Sequence, residues 1–279
     1  MSPGPRRIGV AGDWHGNARW ATRAIKRISS RLGRGEPAII LHLGDFGIWP
    51  DGSGRAYLSR VDAALGDAGA ELWFIDGNHE DHYMLSRLSP GPDGRRRVTS
   101  RIWHLPRGHR WRWQGRAWLA LGGGVSLDKA ERTPGRDWWP EEEITAEQAS
   151  AVTAAGNADV MVTHDCPAGI AHRFPAPPAW WSHADLARND AHRRRLQAVA
   201  KAVRPRWLMH GHLHYAYQRR IDMGWGAVHV TGFDCDGAEH SNWAILDTAD
   251  MRWECFQGRF LTYLGKGVAH RTRIHVPHR

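Results

Sequence analysis

Lysine is scarce in this sequence: only Lys26, Lys129, Lys201 and Lys266 stand among 38 basic residues, so the excess over 29 acidic residues is carried by arginine. Cysteine is scarcer still. Cys166, Cys235 and Cys255 are odd in number, widely spaced and free of any C-x-x-C pairing; so few cysteines exclude a disulfide scaffold, and their pattern fits a reducing compartment where thiols need no partner. No stretch approaches the about 18 consecutive apolar residues of a membrane-spanning helix, and the first residues run into a short strand without a leader-like segment. These absences lead us to expect a cytoplasmic protein with no membrane partner. No repeat of 20 to 50 residues and no low-complexity tract occurs.

What is present belongs to a globular domain. Apolar residues make up 42% and charged residues 24%, which excludes disorder and collagen-like structure. The formal charge of +9 and pI near 10.1 favour a polyanionic partner, nucleic acid included. Arginines spread along the whole chain argue for a composition bias instead, and the runs at 95–97 and 193–195 read as solvated faces.

Strand-like runs at 8–11, 38–43 and 71–75 each precede a turn and a helix-like segment. Trp20, Ala21, Ala24, Ile25, Ile28 and Leu32 recur at helical spacing, predicting a helix over 18–32 with Asn17 as its N-cap and Gly33 ending it. Alternation around Gln114-Gly115 predicts a hairpin of 110–113 with 117–121. A long connection over 122–143 follows, either functional or disordered, then helices over 146–155 and 184–203 flanking a strand at 159–163. Short strands at 207–210, 216–221, 227–231, 243–246 and 253–256 have the spacing of one sheet built from neighbouring hairpins. Two blocks of strands with helices nearby imply an α/β fold, a four-layer αββα sandwich of two facing mixed sheets.

Four strand ends share one detail, a glycine followed by a potential metal ligand: Gly12-Asp13, Gly44-Asp45, Gly77-Asn78 and Gly211-His212. The carboxyl edge of strands is where open α/β sheets place ligands. Asp13 to Asp45 and Asp45 to Asn78 span 32 and 33 residues, about one βα unit each, so neighbouring strands would set these side chains side by side. Asp13 and His15, like His212 and His214, are two apart, and in extended backbone such residues point to one side. With His164 the set holds two Asp, one Asn and four His, a mixed oxygen and imidazole site suited to Mn²⁺, with Fe or Zn²⁺ as alternatives. Seven side chains are too many for one open site, and two ions sharing a carboxylate resolve the excess.

The order D-x-H, G-D, G-N-H-E, a lone His and G-H-x-H resembles the calcineurin-like metallophosphoesterase family over about residues 8–256. The resemblance implies a catalytic domain over 1–260, with 261–279 a basic peripheral tail. It further implies two divalent cations, one held by Asp13, His15, Asp45 and His214, the other by Asp45, Asn78, His164 and His212. His79 would face the phosphate and support the transition state. The expected activity is hydrolysis of a phosphomonoester or phosphodiester by hydroxide generated between the two cations. The substrate would be a small phosphoester or a nucleotide. A nuclease or nucleotide phosphodiesterase, and a non-catalytic metal-binding scaffold, are the alternatives.

One departure stands out. The family's second motif commonly runs G-D-x-x-D, and its last Asp orients the catalytic His, whereas here Ile48 occupies that place. Glu80, Asp81 or Asp51 would have to substitute, or His79 acts unassisted. Trp14 and Trp49 closely follow ligand motifs and are candidates for the pocket wall; Asp128, Lys129 and Arg132 are candidates for a specificity contact or a solvated lid. Cys166 reads as a small core residue and Asp165 as a partner of an imidazole or a turn residue. His104, His109, His172, His183, His192 and His210 read as ordinary structural histidines, and His229 and His240 have no spacing that requires them at the cleft.

Overall fold

The computed structural model describes residues 3–33, 38–170 and 181–261; the expected tail, from 262 on, and His172 lie outside them. The first half runs β1 (Arg7–Ala11), α1 (Ala18–Leu32), β2 (Ala38–His42), α2 (Gly52–Ala68), β3 (Ala70–Phe74), α3 (His82–Arg87), β4 (Arg96–Arg97), β5 (Ile102–His104), β6 (Arg110–Trp113) and β7 (Arg116–Leu121). After two short 3₁₀ turns come α4 (Ala146–Ala154), β8 (Val160–Thr163), α5 (His183–Val203), β9 (Trp207–His210), β10 (Tyr217–Asp222), β11 (Ala227–Gly232), β12 (Trp243–Asp247), β13 (Arg252–Glu254) and β14 (Arg259–Leu261).

The strands form two seven-stranded sheets, ordered β13-β12-β1-β2-β3-β5-β4 and β14-β10-β11-β9-β8-β7-β6. Both are mixed. In the first, β1, β2, β3 and β5 are parallel and β12 runs antiparallel to β1; in the second, β7, β8, β9 and β11 are parallel while β6 and β10 are reversed.

Side-chain alternation along the strands builds the four layers. On β2, Ile39 and Leu41 face the second sheet while Ile40 packs under α1 and α2; on β7, Trp118 and Ala120 face the first sheet while Leu119 and Leu121 pack toward α4 and α5. Both faces of each sheet are therefore covered, which is why β2 and β8 are buried along their whole length. The two-sheet sandwich with outer helices is the architecture that the sequence pattern implies.

Helix α1 has the expected bounds, and Asn17 caps it by accepting a hydrogen bond from the Trp20 amide at 3.1 Å. The hairpin turn places Gln114 and Gly115 at φ 47° and 75°, the left-handed pair that a tight two-residue turn requires. Helix α4 opens with a capping box between Thr145 and Gln148.

One expectation is corrected. The strands after 207 do not make a single sheet of neighbouring hairpins: β10 and β11 do, but β12 and β13 join the first sheet, with Gly9 opposite Ile245 and Ala11 opposite Trp243. β1 is buried and pairs β2 on one side only, so without β12 its other edge would leave backbone groups unsatisfied in the interior. The predicted strand at 253–256 is likewise shorter and earlier, at Arg252–Glu254.

Candidate metal centre

The carboxyl ends of β1, β2 and β3 in one sheet meet those of β8 and β9 in the other, and the loops leaving them bring all seven expected donors together. Asp13, His15, Asp45 and His214 place one donor atom each within 4.8 Å of one another, as do Asp45, His164 and His212. Asn78 joins the second group, its Oδ1 3.1 Å from His164 Nε2. Asp45 faces both, with Oδ2 3.4 Å from His15 Nε2 and Oδ1 3.4 Å from His164 Nε2.

The local backbone differs from the extended geometry expected for the two i, i+2 pairs. Asp13, His15, Asp45, His212 and His214 all lie at positive φ, between 45° and 62°. Asp and His tolerate that region better than bulky residues, but each such residue stores strain that the surrounding loops must hold. Backbone bonds do so: the His15 amide donates to Asp45 O at 2.8 Å and the Asp13 amide to Gly44 O at 3.1 Å. The carboxylates are tethered too, Asp45 Oδ1 by the His79 amide and Asp13 Oδ1 by the His212 amide, each at 2.9 Å. The glycines preceding two ligands serve this approach: a Cβ on Gly77 would overlap Asp45 Oδ1, and one on Gly211 would overlap Asp13 Oδ2.

The donor set is short of positive charge. Asp13 Oδ2 is buried and accepts no hydrogen bond. His164 Nδ1 must carry a proton, because it donates to Leu43 O at 2.8 Å; its Nε2 faces two acceptors, Asn78 Oδ1 and Asp45 Oδ1, which either a second imidazole proton or a metal ion can satisfy. Together with the orphaned Asp13 oxygen, such a convergence of acceptors fits a metal site. The histidines report the same field. Burial alone would depress His15, but Asp236 and Asp45 hold it up at about 11; burial also opposes His164 and His214, which Asp45 and Asp13 respectively raise to about 10. Burial pushes Asp45 up, but His164 and His79 outweigh it and keep the carboxylate well below its usual range.

Several orienting residues escape the sequence motifs. Asp236 accepts from His15 Nδ1 at 3.0 Å and from Asn17 Nδ2 at 2.7 Å, fixing which imidazole nitrogen faces the site. Ser126 Oγ donates to Glu142 at 2.6 Å and accepts from Asn78 Nδ2 at 3.1 Å, which turns the Asn78 oxygen toward His164. Glu142 is in turn paired with Arg188 at 3.2 Å. Arg107 anchors the segment that carries Glu142: its largely enclosed side chain pairs with Asp76 at 2.7 Å and donates to the carbonyls of Glu141, Glu142 and Glu143. The inner residues of the 122–143 connection are thus a brace.

None of the three substitutes for the missing Asp touches His79. Glu80 is buried and accepts from the backbone amides of Phe46, Gly47 and Gly77, and burial beside Asp45 pushes its carboxyl up to about 8. Asp81 caps α3 and Asp51 caps α2. Instead, His79 Nε2 lies 3.0 Å from Asn78 Nδ2 and 3.2 Å from an Arg132 nitrogen, and Arg132 is gripped by Asp128 at 2.7 Å. Burial lowers the His79 pKa, with Asp45 opposing and Arg132 adding to the effect.

Trp14 does not border the pocket: it is fully buried and donates to Asn242 Oδ1 at 3.0 Å, an oxygen that Trp20 also uses. Trp49 does line the cleft. Cys166 is a buried core thiol raised to about 12, and Asp165 accepts from the Cys166 amide at 2.6 Å, the turn role. His229 stacks on Trp207, outside the donor set. The arginine runs are largely engaged: Arg95 lies over the Trp73 and Trp103 rings, Arg96 donates to Leu85 O, and Arg193 and Arg195 donate to Cys166 O and Ile144 O.

A model of the family described as calcineurin-like phosphoesterase matches residues 6–216. The match spans most of the chain, and the chain belongs to the calcineurin-like phosphoesterase family, whose general class is metal-dependent phosphoester hydrolysis. Among solved structures, TT1561 of Thermus thermophilus is similar with a TM-score of 0.53 and 13% identity, covering 90% of this chain and 98% of that one. At that identity the likeness shows the fold alone. No curated protein matched the chain. Among the described residues, no helix is long and apolar enough to cross a membrane.

Proposed function

We propose that this protein is a binuclear phosphoesterase, with Asp13, His15, Asp45 and His214 holding one divalent cation and Asp45, Asn78, His164 and His212 the other. The observation that carries this reading is Asp45, a buried carboxylate with one oxygen toward each donor set. The absence of thiolate and the balance of oxygen and imidazole favour Mn²⁺, with Fe or Zn²⁺ as alternatives. When bound, such a pair acidifies a water and draws charge from the phosphoryl oxygens in line with it.

The chain's own groups supply the rest. Asp45 offsets the repulsion between two cations, while the neutral Asn78 amide contributes an oxygen without repelling an anionic substrate. His79 sits at the cleft with Nε2 3.8 Å from Asp45 Oδ2, in reach of a phosphoryl oxygen, and the adjoining Arg132 adds a fixed positive charge. We place this activity in a single catalytic domain over residues 1–260, in a reducing, cytoplasmic setting where Cys166, Cys235 and Cys255 stay unpaired.

Purified protein loaded with Mn²⁺ and given p-nitrophenyl phosphate and its bis ester should hydrolyse at least one of them, and Asp45→Ala with His212→Ala should abolish turnover. Full retention in the double variant contradicts the assignment. The +9 charge and the arginine excess favour a nuclease or nucleotide phosphodiesterase, and steep salt dependence on single-stranded or duplex substrates would support that reading. Tightly held ions without turnover of any phosphoester would instead mark a scaffold.

A further inference from the structure

We infer that the substrate is a phosphodiester whose two alcohol arms lie in two separate clefts, the second arm carrying an uncharged planar ring against Trp49. This rests on the phosphoesterase reading above and narrows it. The first cleft, about 320 Å³, opens over Asp45, Asn78 and His212 with Val125, Leu127 and Leu213 on its walls. The second, about 440 Å³, is lined by His15, Trp49, Ser53, Arg132 and Arg136. Among the described residues, His79 alone lines both. The ion pair of Asp128 and Arg132 forms the partition, Asp128 facing the first cleft and Arg132 the second.

A phosphorus atom beside His79 therefore has two exits. A monoester fills one and leaves the other to water; a diester has one organic arm for each. The nature of the second arm follows from charge and shape. The second cleft sets the guanidiniums of Arg132 and Arg136 against the carboxylates of Asp51 and Asp137, and its His15 is already held by Asp236, so each cation there has a carboxylate beside it and none is left over for a further phosphate. Its distinctive surface is the Trp49 indole, partly exposed and braced from behind: a Cβ on Gly16 would fall 2.6 Å from the ring. A ring held in place presents a stacking face at little ordering cost, as a nucleoside base or similar planar group requires.

The test compares Mn²⁺-loaded wild type, Trp49→Leu and Trp49→Phe on thymidine 5′-(methyl phosphate), dimethyl phosphate and methyl phosphate, with turnover followed by NMR. Metal binding is measured alongside by calorimetry to verify that each variant keeps its site. Wild type should prefer the thymidine diester, and Trp49→Leu should raise its KM about tenfold or more, at least five times the change seen with dimethyl phosphate. Trp49→Phe should recover most of the loss. Equal effects on both diesters, a preference for the monoester, or turnover that improves when a second phosphate is added to the arm would overturn the inference while leaving phosphoester hydrolysis intact. Failure of wild type to hydrolyse any of the three esters would overturn the reading beneath it as well.

Discussion

Replacing Arg107 by Met would test how far the centre depends on its buried braces. The Arg107 side chain is 8% exposed and directs its donors to Asp76, to the carbonyls of Glu141, Glu142 and Glu143, and to Gln148. Removing it leaves the Asp76 carboxylate, 4% exposed, with only His104 Nε2 at 3.3 Å among the described residues. Breaking one side of a buried ion pair costs about 3–5 kcal/mol, because the remaining charge stays desolvated. We expect Arg107→Met to lose that amount in urea unfolding. Adding Asp76→Asn, which removes the stranded charge while keeping its shape, should restore about half or more. A loss under about 1 kcal/mol, or a double variant no better than the single, would refute the reasoning that Arg107 and Asp76 act as one buried unit.

Three further outcomes follow from the site. Asp236→Asn should weaken Mn²⁺ binding at the ion site containing His15 by about 10- to 100-fold in calorimetry, since the carboxylate that fixes the His15 tautomer is gone; unchanged affinity would remove Asp236 from the account. Ser126→Ala should weaken the other ion site, the one containing Asn78, by a similar factor of about 10 to 100, and Ser126→Thr should preserve it; equal weakening of both sites would point to general loosening instead. His192 is buried and neutral, its pKa pushed down to about 3 by burial with help from Arg107 and Arg195. The unfolded imidazole takes its proton near 6.5, so stability is complete above that pH and falls as pH drops toward 3, by at most about 1.4 kcal/mol per pH unit. His192→Leu should flatten that acid limb, and an unchanged slope would show that other groups dominate it.

Local signals made much of this legible in the sequence. Helix α1 could be bounded because its apolar stripe and its Asn17 cap are written within 16 residues, and the hairpin because Gln114-Gly115 separates two alternating runs. Asp13, Asp45 and Asn78 could be gathered because βα units repeat at near-constant length and their strand ends share an edge, while His164, His212 and His214 on the other sheet are placed with them by the motif order of the family that the sequence resembles. What escaped is long-range. Asp236 reaches His15 from 221 residues away, and Asn242 collects the Trp14 and Trp20 indoles from across the sheet, neither with a flanking pattern. β12 reads as a buried strand, yet only the unpaired edge of β1 decides which sheet it joins. The left-handed backbone at five ligands is likewise a product of the two-loop pairing, which spacing alone does not encode.

Crystals of the protein grown with Mn²⁺ and measured at the manganese absorption edge address the central claim most directly. Two anomalous peaks should flank Asp45, one bounded by Asp13, His15 and His214, the other by Asn78, His164 and His212. A single peak, or none near Asp45 at saturating Mn²⁺, would contradict it.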